Sequence, residues 1–228
     1  MPTLDRDGVR ISYDVHVGPR DATPLLLSHG YGASRAMWRP NIDALVATRT
    51  VVTWDMRGHG DSESPADDSA YSHALTVTDM VTILDACGIE QAAVGDTGPG
   101  FKNDAARQRW NDYANGVASR LERDGASALS TSAEVARDSA DSAGLARAAR
   151  GMLAQQNADV IRSLPDVKVP TLVLVGADDT NFLAAADYMA STIAHAEKFV
   201  VPAAGHAANI DQPQVFNDAV ISFLDGLL

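Results

Sequence analysis

Leu25-Leu26-Leu27-Ser28-His29-Gly30-Tyr31-Gly32 is the stretch on which the reading of this chain turns. Three consecutive leucines leave no polar face for solvent, so the strand spanning Pro24 to Ser28 is expected to be covered on both sides, as strands of parallel sheets are. The His-Gly-Tyr-Gly that follows turns the chain sharply and offers backbone N–H groups at the strand's C-terminal end. The pattern repeats downstream. Trp38, Ile42, Leu45 and Val46 fall on one face of a helix, and Thr50 to Trp54 reads as a second buried strand. Val77, Met80, Val81 and Leu84 again have helical spacing, Gly88 supplies a stop, and Gln91 to Val94 is a third strand. Strands alternating with helices place the chain in the α/β class, a mostly parallel sheet flanked by helices. Upstream, Val9 to Val17 alternates apolar and polar residues and is expected at the edge, half exposed.

From about residue 101 to 164 the character changes. Ala, Arg, Asp and Ser dominate and the apolar spacing is helical throughout, with Trp110, Tyr113, Val117 and Leu121 forming one stripe and Leu145, Ala149, Met152 and Leu153 another. Both stripes read as helix packing; the functional alternative is a helical cap over a pocket lined by Met152 or Trp110. Pro165 and Pro170 bracket the return to the sheet, with strands at Thr171 to Val175 and Lys198 to Val201 and helices at Phe182 to Ile193 and Gln214 to Leu228. Residues 1–228 are therefore expected to be a single domain with the cap inserted.

Composition narrows the classes of function. The chain has 228 residues, 46% hydrophobic, and 18 Lys+Arg against 30 Asp+Glu give a net charge of −12, which repels phosphate backbones and anionic lipid. Neither nucleic acid nor a membrane is expected as a partner. No apolar run approaches the roughly 20 residues of a membrane helix, and Met1 to Arg10 carries acids and no apolar core of a leader, so a cytoplasmic protein is expected. Cys87 is the single cysteine, expected as a buried apolar residue.

Three segments at strand ends carry the residue types of chemistry, at the place where open α/β sheets hold their ligands. The first is His29-Gly30-Tyr31-Gly32, whose amide at Tyr31 could meet a developing negative charge. The second is Gly176-Ala177-Asp178-Asp179, which puts a carboxylate where it could orient an imidazole. The third is Gly205-His206, followed by Asp211 and Pro213, a loop histidine able to act as a general base. Taken singly these read as a glycine turn, a helix cap and a solvated histidine. Their order is far more specific. With Asp55-Met56-Arg57-Gly58-His59-Gly60-Asp61-Ser62, they make the chain resemble the α/β-hydrolase superfamily over nearly its whole length. The resemblance implies His206 as triad histidine, Asp179 as triad acid with Asp178 a second choice, Tyr31 as oxyanion amide donor with Gly30 in its turn, and His59 as a packing residue. It implies ester or lactone hydrolysis with no cofactor and a small ester-like substrate.

One departure bears on all of this. The family carries its nucleophile on a Gly-x-Ser-x-Gly elbow after the strand placed here at Gln91 to Val94, and no such pentapeptide occurs in the chain. Instead Gly95-Asp96-Thr97-Gly98-Pro99-Gly100 follows, resembling what the family has one strand later. The chain is short by one βα module of roughly thirty residues. Thr97 and Asp96 remain as candidates for a nucleophile, against a plain turn role; Ser28 is expected to be buried. The glycine run lacks Gly-x-Gly-x-x-Gly spacing, so no dinucleotide is implied. Three readings stay open: a hydrolase of impaired activity, a pseudoenzyme that binds without turnover, and an unusual family member whose nucleophile comes from elsewhere in the chain. The sheet is expected to close over the gap, and helices beside it to expose apolar faces that invite self-association.

Overall fold

The computed structural model describes residues 2–89, 93–95, 98–125 and 141–227. Strands β1 (Thr3–Arg6) and β2 (Val9–His16) form an antiparallel hairpin across Asp7-Gly8, both in the left-handed region with φ of 55° and 79°. The positive angles match the twist of a two-residue hairpin turn. β2 is thus an inner strand, flanked by β1 and β4, and not the edge its alternation suggests. Four residues of β1 were too short a run to register as a strand.

β3 (Leu25–Leu27) lies parallel to β4 (Val51–Trp54) on one side and to β5 (Ala93–Gly95) on the other. Helix α1 (Arg39–Val46) connects β3 to β4, and α2 (His73–Ala86), capped by the Ser72 hydroxyl on the Leu75 N–H, connects β4 to β5. The triple leucine now has its explanation. Leu26 points to one face, among Ile11, Val52, Trp54 and Ile83; Leu25 and Leu27 point to the other, among Trp38, Leu45, Val51 and Leu224. Each such burial contributes about 1.5–3 kcal/mol relative to exposure. Of the apolar residues expected to share one face of α2, Met80 and Leu84 pack beside Ile83, whereas Val77 and Val81 are 55% and 50% exposed.

The segment from residue 101 to 164, where described, contains α3 (Asp104–Asp124), α4 (Ser142–Ala148), a π-helical turn at Ala149–Leu153 and α5 (Asp159–Ser163). Val117, Leu121, Leu145 and Ala149 form its core, as their spacing predicts, but Ala114 and Ala118 complete the stripe in place of Tyr113, which is 55% exposed. Trp110 is tied to the π-helical turn by an indole N–H donated to the Leu153 carbonyl at 2.8 Å.

β6 (Thr171–Gly176), α6 (Leu183–Thr192) and β7 (Ala196–Val201) follow, then α7 (Ala208–Asp211) and α8 (Pro213–Asp225). α8 lies on α1 and returns Leu224 to the core beside Leu25. Among the described residues the expected closure of the sheet does not occur: the strands form two sheets, one ordered β1-β2-β4-β3-β5 and one of β6 with β7. A strand pairs with both former neighbours only if the chain can draw them together, and here α6, α7 and α8 hold β6 and β7 in their own packing.

Candidate active site

The loops after β6 and β7 are brought together by their backbones. The Asp178 N–H donates to the Ala204 carbonyl at 2.9 Å and the Ala177 N–H to Val201 at 2.8 Å. Gly176 makes this approach possible, since a Cβ there would lie 2.2 Å from the Gly205 carbonyl oxygen and 2.3 Å from that of Ala204. The histidine loop is held from below. Asp211 accepts the Gly205 N–H at 2.8 Å, and buried Asn209 donates its side-chain amide to the Met37 carbonyl at 3.0 Å while its own carbonyl accepts from Asn41 at 3.1 Å. The Asn41 amide also reaches Asn217 Oδ1 at 2.9 Å, so α1, α7 and α8 share one buried polar knot.

On this frame His206 Nδ1 lies 2.8 Å from Asp179 Oδ2. The carboxylate accepts, which assigns the proton to Nδ1 and leaves Nε2 as the basic nitrogen. The Phe182 ring packs against the imidazole at 4.7 Å between centroids. The Asp179 side chain is 10% exposed and that of His206 75% exposed. Asp178, one residue away, is exposed and makes its contact through the backbone.

The turn after β3 is braced from β4. His29 is completely buried; its Nδ1–H donates to the Gly30 carbonyl at 2.8 Å and its Nε2 accepts the Met56 N–H at 3.0 Å. Both ring nitrogens are engaged by a neutral imidazole, and burial lowers its pKa to about 4. The Tyr31 hydroxyl donates to the Leu145 carbonyl at 2.9 Å, joining this turn to α4, and burial pushes the phenol well above its ordinary range. The Tyr31 backbone N–H donates to none of the described residues.

His59 packs, as the resemblance implies. It is buried with its ring 5.1 Å from that of His29 and 5.5 Å from that of Tyr31, and its Nδ1–H donates to the Arg57 carbonyl at 2.9 Å. Burial, with the nearby His29, lowers its pKa to about 3. Ser28 is buried, as expected, and Cys87 is half-buried with its thiol pushed up by burial. Two charged clusters that sequence reasoning missed hold the adjoining turn. Asp55 accepts the Arg35 and Asp61 N–H groups at 2.7 and 3.0 Å and pairs with the Arg35 guanidinium, while burial holds its carboxyl above the usual range. The Arg57 guanidinium grips Asp79 with two bonds of 2.6 and 2.8 Å, both side chains buried. An acid on the core side of α2, with Asp79 four residues before buried Ile83, is the signal that could have revealed the second.

Thr97 and Asp96 lie outside the described residues. Among the described residues, no group of three or more His, Cys, Asp or Glu side chains is placed to hold a metal ion, and no helix is long and apolar enough to cross a membrane.

A carboxylate-oriented imidazole on the loop after one strand, and an amide-presenting turn after another, stand on a fold that known proteins share. The model of the α/β-hydrolase fold family matches residues 23–95. The chain is 27% identical to 3-oxoadipate enol-lactonase 1 of Acinetobacter baylyi over 260 aligned positions, covering 98% of this chain and 96% of that one. It is 28% identical to the putative carbamate hydrolase RutD of Caulobacter vibrioides over 262 positions, covering 95% and 96%. Among solved structures, MenH from S. aureus superposes with a TM-score of 0.82 at 21% identity, covering 94% of this chain and 98% of that one. The enol-lactonase from Burkholderia xenovorans LB400 superposes with a TM-score of 0.80 at 23% identity, covering 98% and 100%. The chain has the α/β-hydrolase fold.

Proposed function

We propose that this chain is a cofactor-independent hydrolase of small carboxylic esters or lactones in which His206 is the general base, Asp179 orients it, and the Tyr31 N–H, in the turn shaped by Gly30, meets the oxyanion. The 2.8 Å contact between His206 Nδ1 and Asp179 carries this reading, because it leaves Nε2 basic. In the full cycle Nε2 takes the nucleophile's proton, the nucleophile's oxygen bonds the carbonyl carbon, and the carbonyl electron pair moves onto oxygen against backbone N–H groups. Nε2–H then returns the proton to the departing alkoxide, and water repeats the sequence to free the acid. The first-named relative is a lactonase, which supports the substrate class.

Turnover is impaired in this reading. No Gly-x-Ser-x-Gly occurs in the sequence, and the 260 positions aligned with the Acinetobacter enzyme exceed the 228 residues of this chain by 32 at least, which supports the loss of a βα module. Without a nucleophile, backbone stabilisation and binding leave on the order of 10³ to 10⁴ over the uncatalysed rate. The second reading, a small-molecule-binding protein without turnover, is favoured by the exposure of His206 to solvent. A cytoplasmic setting belongs to both readings. Incubation with an activated aryl ester and with a serine-reactive phosphonate tests them. Slow hydrolysis with no burst and no adduct is expected, whereas a stoichiometric adduct would identify a nucleophile and end the claim of impairment.

A further inference from the structure

The interrupted sheet leaves strand edges whose hydrogen-bonding groups can be assigned. In the β6–β7 pair the Thr171 N–H donates to the His195 carbonyl and, beyond the strand end, the Ala177 N–H to Val201. Parallel strands alternate the direction of successive residues, so 171, 173, 175 and 177 face β7 and Leu172, Leu174 and Gly176 face the opposite edge. Among the described residues no strand pairs with that edge. On β5, which pairs with β3 with Val94 opposite Leu26, the same alternation turns the Val94 backbone groups away from β3. Among the described residues two edges of parallel-paired strands are thus open, and on α2 the apolar side chains of Val77 and Val81, four residues apart, are half exposed.

We propose that the β6 edge is an acceptor for one extended apolar segment supplied by another polypeptide, followed by a helix whose apolar side covers Val77 and Val81. This rests on the reading that the chain is one βα module short. A single strand fits the demand better than a second folded copy. On the reading of one missing module it brings hydrogen-bonding groups on both of its sides, for Leu172 and Leu174 on one flank and Val94 on the other, whereas the edge strand of a folded copy has one side already paired. The relatives align over at least 32 positions that this chain does not fill, the length of a strand and a helix together.

The probe is a synthetic peptide of the 32 residues that follow the β5 equivalent in the Acinetobacter enol-lactonase, added to the intact chain. Amide exchange at Leu172 and Leu174 is expected to slow about tenfold or more at saturation, with no effect on amides of β1. The same peptide N-methylated at alternate amides should lose this protection, since it keeps its side chains and lacks the ladder bonds, and Val77→Asp with Val81→Asp should weaken binding about tenfold or more. Unchanged exchange, or equal protection by the N-methylated peptide, overturns the proposal. So does a sedimentation result in which the chain alone is a dimer with these amides already protected. Each outcome is read from exchange, so it is independent of whether His206 and Asp179 support hydrolysis.

Discussion

His206 and Asp179 meet at 2.8 Å on two separate loops, yet three quarters of the His206 side chain is open to solvent. The pair is held by the backbones beneath it and contributes little to folding itself, since an exposed ion pair or hydrogen bond is worth about 0–1 kcal/mol. Changes at these residues therefore separate chemistry from stability. His206→Ala is expected to lower the residual ester hydrolysis about tenfold or more, and Asp179→Asn to lower it as well, while each shifts the urea midpoint by no more than its experimental error. Rates equal to those of the parent chain would remove both residues from the proposed mechanism.

Gly176 supplies the proximity on which that pair depends. A methyl group there would meet two backbone carbonyl oxygens at 2.2 and 2.3 Å, neither of which can rotate away as a side chain does. Gly176→Ala is expected to cost about 1–3 kcal/mol, as overpacking does in a close-packed interior. The loop bearing His206 should also move off the loop bearing Asp179, so the nitrogen chemical shifts of the His206 ring change. A variant with parental stability and an unaltered His206 signal would show that the two loops do not need this contact.

The contrast between these loops and the rest of the molecule marks what the sequence makes legible. Leu25 to Leu27, the α1 stripe and the order of strands were readable because burial leaves a periodic imprint on residue type. His206 and Asp179 were readable through motif and chain order. The separation of β6 from β5 was not, because pairing across a gap depends on where α6, α7 and α8 hold the strands, and no local pattern encodes that. The exposure of Val77 and Val81 was foreseen only as apolar faces on helices beside the gap, without the residues, since an apolar face looks the same in sequence whether or not its cover is present. The Arg35–Asp55 and Arg57–Asp79 pairs were illegible for a related reason: charged residues are assigned to the surface until a partner far along the chain is seen to bury them.

The second of those pairs gives a sharp stability test. Asp79 is fully buried on α2 and receives two charge-assisted bonds from Arg57, whose guanidinium also donates to the Ala70 carbonyl at 3.3 Å. Asp79→Ala removes the counter-charge and leaves a guanidinium in the interior, a loss of about 3–5 kcal/mol. Replacing both, Asp79→Leu with Arg57→Met, should recover much of it. Chemical denaturation of the two variants decides the matter, and a single variant as stable as the parent chain would mean that water reaches Arg57.

His29 and His59 set the acid limit of the fold. Burial lowers their pKa values to about 4 and about 3, against about 6.5 for histidine in the unfolded chain. Between pH 6.5 and 4 the unfolded chain therefore binds protons that the folded one excludes, so stability falls as the pH falls and is flat in this respect above 6.5. Each ring adds a slope of up to about 1.4 kcal/mol per pH unit within that window. His59→Gln keeps a side-chain N–H for the Arg57 carbonyl and cannot titrate, so it is expected to flatten the acid limb by about half, measured as denaturation midpoints from pH 7 to 4. An identical slope in the variant would place the titration elsewhere, with the buried carboxylates the next groups to replace.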